Sequence, residues 1–472
     1  MGVFAGCSSD RSTEPRDVGF SNASLRVGNN VYISNSGSVN LQSEQSAIVA
    51  HQAGGDVVLV GYNDLETNPG ATFNGLATSS VISSGGGAVT WPTRTVLLPT
   101  GPFSALRGDP WLVANAGSGQ LVYYASIGEV PSNPPDVAVS LSKDGGQTFA
   151  DFVRAGAGAS VCSVGTDKES IDASADGKSV WVAYRCDNGF NQTSIRVARS
   201  TDAGQSWSDA LVRNLPSATN GGLPSPVIKR DPMREMNVFV AWEEDTNTSA
   251  KRTIQFAMSA DGGATFPTMV TPVDEKKGPD PAFDGFSTTA TNLQHFSFEF
   301  DPSNDHCVIA YDLDGGIFFT GSADGVNWGS PVTIAADVVT ERFQPFLRGS
   351  PTHLAITYYA QPSSGPSFQN TIVFGKLSND HGATWTAASD QLTAIGNGFV
   401  TDGFQACVQD PALARRFGDY LGETPLWAPW QAFNDTLARR FLSAWADSRP
   451  SCSVENPGTA IHQHTVGQVW GL

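Results

Sequence analysis

The chain has 472 residues, 40% of them apolar, with 49 Gly, 28 Pro, a net charge of −18 and a pI near 4.7. This apolar content is enough for a sizeable core, and an acid excess with no basic stretch excludes a general nucleic-acid binder. No run of about 18 apolar residues occurs, so the sequence contains no ordinary membrane-spanning helix.

In chain order, Phe4-Ala5-Gly6-Cys7 followed by Ser-Ser-Asp resembles the end of a bacterial lipoprotein signal. Residues 1–27 are therefore expected to be a signal remnant and disordered tether, with a lipid anchor at Cys7 and an extracytoplasmic location, secreted or held at the cell surface. Residues 28–472 read as a single all-β domain, because Gly and Pro recur throughout a chain rich in Val, Thr, Phe and Trp.

A repeat decides the fold class. Ser-x-Asp-x-Gly-x-x-aromatic occurs at Ser142–Phe149, Ser200–Trp207, Ser259–Phe266 and Ser378–Trp385, and one residue shorter at Ser322–Trp328. A worn copy, without the Asp, runs from Ser83 to Trp91, and successive starts are 59, 58, 59, 63 and 56 residues apart. Asp144, Asp202, Asp261, Asp324 and Asp380 are read as structural: each carboxylate can accept backbone N–H groups a few residues ahead. The Gly supplies positive φ, and the aromatic packs under the turn.

Around each turn the pattern predicts a four-stranded unit. In the third, strands are expected at Ser170–Ser174, Ser179–Tyr184, Ile195–Arg199 and Ala210–Val212. Seven second strands align: Val57–Tyr62, Leu121–Ala125, Val180–Tyr184, Val238–Trp242, Val308–Tyr311, Leu354–Tyr358 and Phe441–Trp445. The expectation is a β-propeller of seven four-stranded blades, with six as the alternative. A strand from Asn30–Asn35 would complete the last blade and close the ring. A short helix is expected at Gln409–Phe417.

All the repeated turns join third to fourth strands and share one face, so the opposite face carries the loops that converge on a central funnel. Cys162 and Cys186 flank that face in the third blade, and Cys407 and Cys452 hold equivalent places in the last. Two disulfides are expected, with Cys307 a buried free thiol. The funnel ends of the strands carry many carboxylates, among them Asp109, Glu169, Glu243, Asp312, Asp419 and Asp447, and the arginines Arg107, Arg185, Arg342 and Arg449.

With its repeated turns, the chain resembles the sialidase-like (BNR or Asp-box repeat) superfamily over about residues 40–450. Gly108-Asp109-Pro110, Asp167-Lys168-Glu169, Phe417–Gly422 and Ala444–Arg449 are similar to segments of secreted bacterial members identified as exo-α-sialidase-like. The resemblance implies a glycoside hydrolase in which Arg107, Arg342 and Arg449 clamp a substrate carboxylate, a task suited to bidentate arginine. It further implies Tyr359 or Tyr420 as nucleophile and Asp109 or Glu169 as acid/base. Arg185, Asp419 and Asp447 would add substrate contacts. The Phe/Tyr-Arg-Ile-Pro motif of true sialidases is absent; Glu14-Pro15-Arg16 does not match it.

Two other functions fit the residues. A glycosidase needs only two carboxyl groups across a sugar, and the funnel offers several. A noncatalytic propeller would bind glycan or a protein partner, with Trp427 and Trp430 as sugar-stacking candidates. No cofactor and no metal is expected. Asp312-Leu313-Asp314 and Glu243-Glu244-Asp245 resemble calcium ligands, but solvated acidic loops account for them better.

Overall fold

The computed structural model describes residues 26–27, 31–33, 42–64, 74–86, 89–189, 192–215, 224–244, 251–276, 295–337, 340–362, 372–386, 422–447 and 464–471. Within them the alternating and fully apolar runs form seven antiparallel sheets. Their first strands are Gln42–Gln52, Trp111–Ala114, Gly165–Ala173, Val227–Arg230, Phe296–Asp301, Thr340–Gly349 and Gly422–Pro425. Each of these packs against the next, and the last packs against the first, so they line the axis of a closed ring. The protein is a seven-bladed β-propeller of four-stranded sheets, and the six-bladed alternative is set aside.

All seven expected second strands form, for instance Val180–Asp187 and Leu354–Pro362. Their residues are buried on both faces because each blade is sandwiched between two others, which explains the unbroken apolar runs. The third blade has strands Gly165–Ala173, Val180–Asp187, Thr193–Ser200 and Ser208–Asn214 in simple sequential order. In the last blade, Gly422–Pro425, Arg440–Asp447 and His464–Gly471 are joined by two short N-terminal stretches, Arg26–Val27 and Val31–Tyr32, both paired with His464–Gly471. One short helix, Asp435–Ala438, is capped by Asn434, whose side chain accepts from two backbone N–H groups. Arg26–Val27, expected at the end of a disordered tether, are thus paired strand; the rest of the tether with Cys7 and the helix expected at Gln409–Phe417 lie outside the described residues.

Neighbouring blades are stitched at the axis by serines. Ser46 Oγ accepts the backbone N–H of Leu112 at 3.0 Å, Ser170 Oγ that of Ile228 at 2.9 Å, and Ser297 Oγ that of Leu347 at 3.0 Å. These bonds satisfy first-strand amides that have no partner strand on the channel side.

The repeated turns share one geometry. Asp144 Oδ1 accepts from the N–H groups of Gln147 and Thr148, both at 2.9 Å, and Asp261 Oδ1 from those of Ala264 at 3.0 Å and Thr265 at 2.9 Å. Asp202, Asp324 and Asp380 do the same with their own following residues. The Ser206 hydroxyl and then its N–H hold the Asp202 carboxyl down to about 2; burial opposes the hydroxyl and N–H of Thr265 at Asp261 and the N–H groups of Asn327 and Val326 at Asp324, but these donors prevail and the value is also about 2. The glycine that follows has positive φ and touches the neighbouring blade: a Cβ on Gly382 (φ 86) would lie 2.2 Å from the Phe319 ring. Gly382→Ala is therefore expected to destabilise the protein by about 1–3 kcal/mol. A urea-melt midpoint unchanged from the parent would contradict this.

Cys162 and Cys186 are bonded, with Cα atoms 5.2 Å apart, tying the entry of the third blade to the funnel end of its second strand. Cys307 departs from expectation: it is disulfide-bonded and not a free thiol. The register places Cys307 at the start of a second strand, opposite Phe300, but a strand pattern carries no information about a distant partner. Cys407 and Cys452 lie outside the described residues.

Candidate active site in the funnel

The first strands of several blades lose regular pairing at their funnel ends. Register shifts between Ser43 and Ser46, between Asp167 and Ser170, and between Phe343 and Phe346; the second blade's first strand is interrupted between Leu106 and Trp111. Asp109, Lys168 and Gln344 sit in these breaks with φ of 55, 56 and 50°. Non-glycine residues in this left-handed region are strained, and bulges of this kind re-aim side chains beside active sites. Asp109 is held in place by its N–H, which donates to Asn63 Oδ1 of the first blade at 2.9 Å. In Gln344 the N–H donates to Asp312 Oδ2 of the fifth blade at 3.1 Å.

Bulging brings Asp109, Lys168 and Glu169 together. Lys168 Nζ lies 3.3 Å from Asp109 Oδ2, across the boundary between the second and third blades. Glu169 is only 2% exposed, and among the described residues no other residue donates a hydrogen bond to either of its carboxyl oxygens. Burial, and after it the charge of Asp109, push the Glu169 carboxyl well above the usual carboxylate range; its own backbone N–H and, less, Lys168 oppose them without prevailing. The site thus pairs a carboxyl that favours its neutral form with one that has an ammonium group beside it.

An apolar stopper closes the axis below this pair. Trp111 of the second blade meets Phe346 of the sixth, ring centroids 6.4 Å apart, across the ring from blade to non-adjacent blade. Beneath it, on the side of the repeated turns, Arg348 lies over the Phe346 ring at 4.5 Å and reaches Glu299 at 3.1 Å, while Lys229 Nζ lies 2.8 Å from the same Glu299 oxygen. Burial would raise Glu299, but Lys229 and Arg348 outweigh it and keep the carboxyl below its ordinary value. Glu423, fully buried beside this group, accepts from the hydroxyls of Thr357 at 3.1 Å and Ser443 at 3.2 Å, and burial pushes it up to about 8. This charged layer escaped sequence reasoning. Its only signal was a charge inside each apolar first strand: Lys229, Glu299 and Arg348.

Of the three arginines expected to clamp a carboxylate, Arg449 lies outside the described residues, and Arg107 and Arg342 each have partners close to their own strands. Arg107 Nε donates to Glu129 at 2.6 Å within the second blade. Arg185 lies between Asp167 and Asp187, both of the third blade. Arg342 donates to the carbonyls of Gly315 and Thr340 and pairs with Asp337. Tyr359 is fully buried, its ring stacked on Phe343 with centroids 5.4 Å apart, in the core rather than on the funnel wall. Asp447 ends the strand Arg440–Asp447; Arg449, Asp419 and Tyr420 lie outside the described residues.

Trp427 and Trp430 follow the first strand of the last blade, on the turn face, away from the funnel. Trp430 Nε1 donates to Asp56 Oδ1 at 3.0 Å and both rings pack on the core, so as sugar-stacking candidates they belong to the blade rim and not to the funnel. No group of three or more potential metal ligands occurs among the described residues.

Fold and site define a seven-bladed propeller with a bulged, acid-lined funnel. No family model matches the chain, and no curated protein matches it. Solved structures do. An ulvan lyase of polysaccharide lyase family PL25, bound to a glucuronate–sulfated rhamnose unit, is 10% identical, with 90% of this chain and 94% of that one covered and a TM-score of 0.51. The α-L-arabinanase of Penicillium chrysogenum is 14% identical, covering 71% and 94%, with a TM-score of 0.48. The Trypanosoma rangeli sialidase is 12% identical, covering 74% and 58%, with a TM-score of 0.43. Sialidases and other propeller glycosidases are thus among its structural neighbours, at identities that establish the fold alone.

Proposed function

We propose that this protein acts on glycans in its funnel, cleaving a glycosidic bond with Glu169 as proton donor and Asp109 as its charged partner. The observation that carries this reading is the buried Glu169 carboxyl, to which no other described residue donates a hydrogen bond, beside an Asp109–Lys168 ion pair. A carboxyl that favours its neutral form, set beside a second carboxyl that has an ammonium group next to it, suits acid/base cleavage of a glycoside. Glu169 gives its proton to the leaving oxygen as the C–O bond breaks. Asp109 meets the charge developing at the anomeric carbon, either accepting a proton from the attacking water or forming the bond itself.

The fold's neighbours act on or bind carbohydrate by their own descriptions, which supports a glycan substrate without choosing one. The Cys162–Cys186 disulfide supports work in an oxidising, extracytoplasmic compartment. The test is incubation with arabinan, ulvan, sialyllactose and a set of aryl glycosides, with released sugar measured. Turnover by the parent, reduced at least about 100-fold in Asp109→Asn, is expected. Binding to a glycan array without turnover on any of these substrates would favour a noncatalytic glycan-binding propeller.

A further inference from the structure

We propose that His295, oriented by Asp312, is a substrate-contacting hydrogen-bond donor of the funnel, aimed at a hydroxyl or ring oxygen of a bound sugar. This rests on the reading of the funnel as a glycan site. His295 immediately precedes the first strand of the fifth blade, two blades along the ring from Glu169. Its Nδ1 lies 2.9 and 3.2 Å from the two carboxylate oxygens of Asp312. An ionised carboxylate only accepts, so Nδ1 carries a hydrogen. Nε2 has no protein partner among the described residues, and the ring keeps 12% of its surface exposed.

Asp312 is itself immobilised. Arg252 Nη2 donates to Oδ1 at 3.0 Å, Arg252 Nε donates to the Asp312 carbonyl at 3.1 Å, and the strained Gln344 donates its N–H to Oδ2. Arg252 is also ion-paired with Glu243. A surface histidine does not need this much support. The arrangement follows the general pattern of a working imidazole: one nitrogen tied to a fixed carboxylate, the other presented to the ligand.

Charge completes the argument. Burial and the Arg252 charge disfavour the imidazolium, but Asp312 and Glu243 outweigh them, and the ring's proton affinity is raised. With imidazolium present, two positive charges face two negative ones. The cluster therefore presents a charged N–H donor without a net positive field, suited to a neutral sugar oxygen. Charged donors form the stronger hydrogen bonds.

The test has two arms. Imidazole ¹⁵N NMR of the parent should show His295 with the Nδ1–H tautomer when neutral and a titration midpoint above 6.5, moving down in Asp312→Asn. Kinetically, on whichever glycan is turned over, His295→Ala should raise KM roughly tenfold or more, with a smaller change in kcat. His295→Gln, which keeps a donor, should recover part of the loss and abolish the rise of KM as pH passes the His295 midpoint. An unchanged KM in His295→Ala at pH 6 overturns the proposal, as does an Nε2–H tautomer or a midpoint below 6.5. If no glycan is turned over, the carboxyl-pair reading fails by itself. His295 is then judged by NMR with arabinobiose, sialyllactose and the glucuronate–sulfated rhamnose disaccharide. A shift of Nε2 with any of them supports the proposal, and no shift with all three overturns it.

Discussion

Glu169→Gln should lose turnover by about 100- to 10,000-fold, the usual contribution of a positioned general acid, while folding at least as stably as the parent above neutral pH. Both halves follow from one observation. The Glu169 carboxyl is buried, accepts from no other described residue and favours its neutral form. Its affinity for the proton is therefore higher folded than unfolded, so its contribution to stability is complete below its ordinary range and is lost as pH rises through the raised value. An amide of the same shape cannot ionise, which removes this penalty. It also cannot donate a proton to a leaving oxygen. Activity and stability should then move in opposite directions, the behaviour of a residue retained for chemistry at a cost in folding. Equal turnover by variant and parent would remove Glu169 from the mechanism. A large loss of stability at pH 8 would instead mark it as a packing residue.

The second large effect concerns the charged layer beneath the axial stopper. Glu423 is fully buried and its carboxyl is pushed up to about 8, above the ordinary 4.5. The unfolded chain gives up this proton near the ordinary value, whereas the folded protein keeps it until about 8. Between these values the unfolded state binds fewer protons, so stability falls as pH rises across that window. The loss is on the order of 3–5 kcal/mol. Glu423→Gln keeps a polar group among Thr357 and Ser443 and should remove most of this fall. Urea midpoints at pH 5 and pH 8.5 should diverge strongly in the parent and much less in the variant. Equal divergence in both would show that Glu423 ionises freely in the fold.

The repeat made the architecture readable because the turn's chemistry is local. Asp261 reaches donors only three and four residues ahead, so a short motif specifies the whole turn, and its recurrence specifies the ring. The second strands were legible for a different reason: burial on both faces leaves an apolar run such as Val180–Tyr184. Asp109 and Glu169 could be placed at the funnel from strand order alone. Their pairing through Lys168 could not, because it depends on bulges that interrupt the period-two pattern without leaving a compositional mark.

The arginines show a second limit. Arg185 lies directly opposite Asp167 in the ladder, and Arg107 follows the pairing of Ala105 with Glu129. Strand position puts both on one face, but cross-strand register decides which carboxylate each meets. Arg252 was missed altogether. It begins a third strand, and its role is defined by Asp312 on the next blade, 60 residues away.

Carboxyl ¹³C NMR of protein labelled at glutamate, titrated from pH 4 to 9 and compared with Glu169→Gln, tests the central claim most directly. The account predicts a resonance, absent from the variant, that stays protonated well above the ordinary glutamate range and titrates lower when Asp109 is replaced by Asn. A Glu169 resonance already ionised at pH 5 would contradict it, and the assignment of the funnel acid would fall.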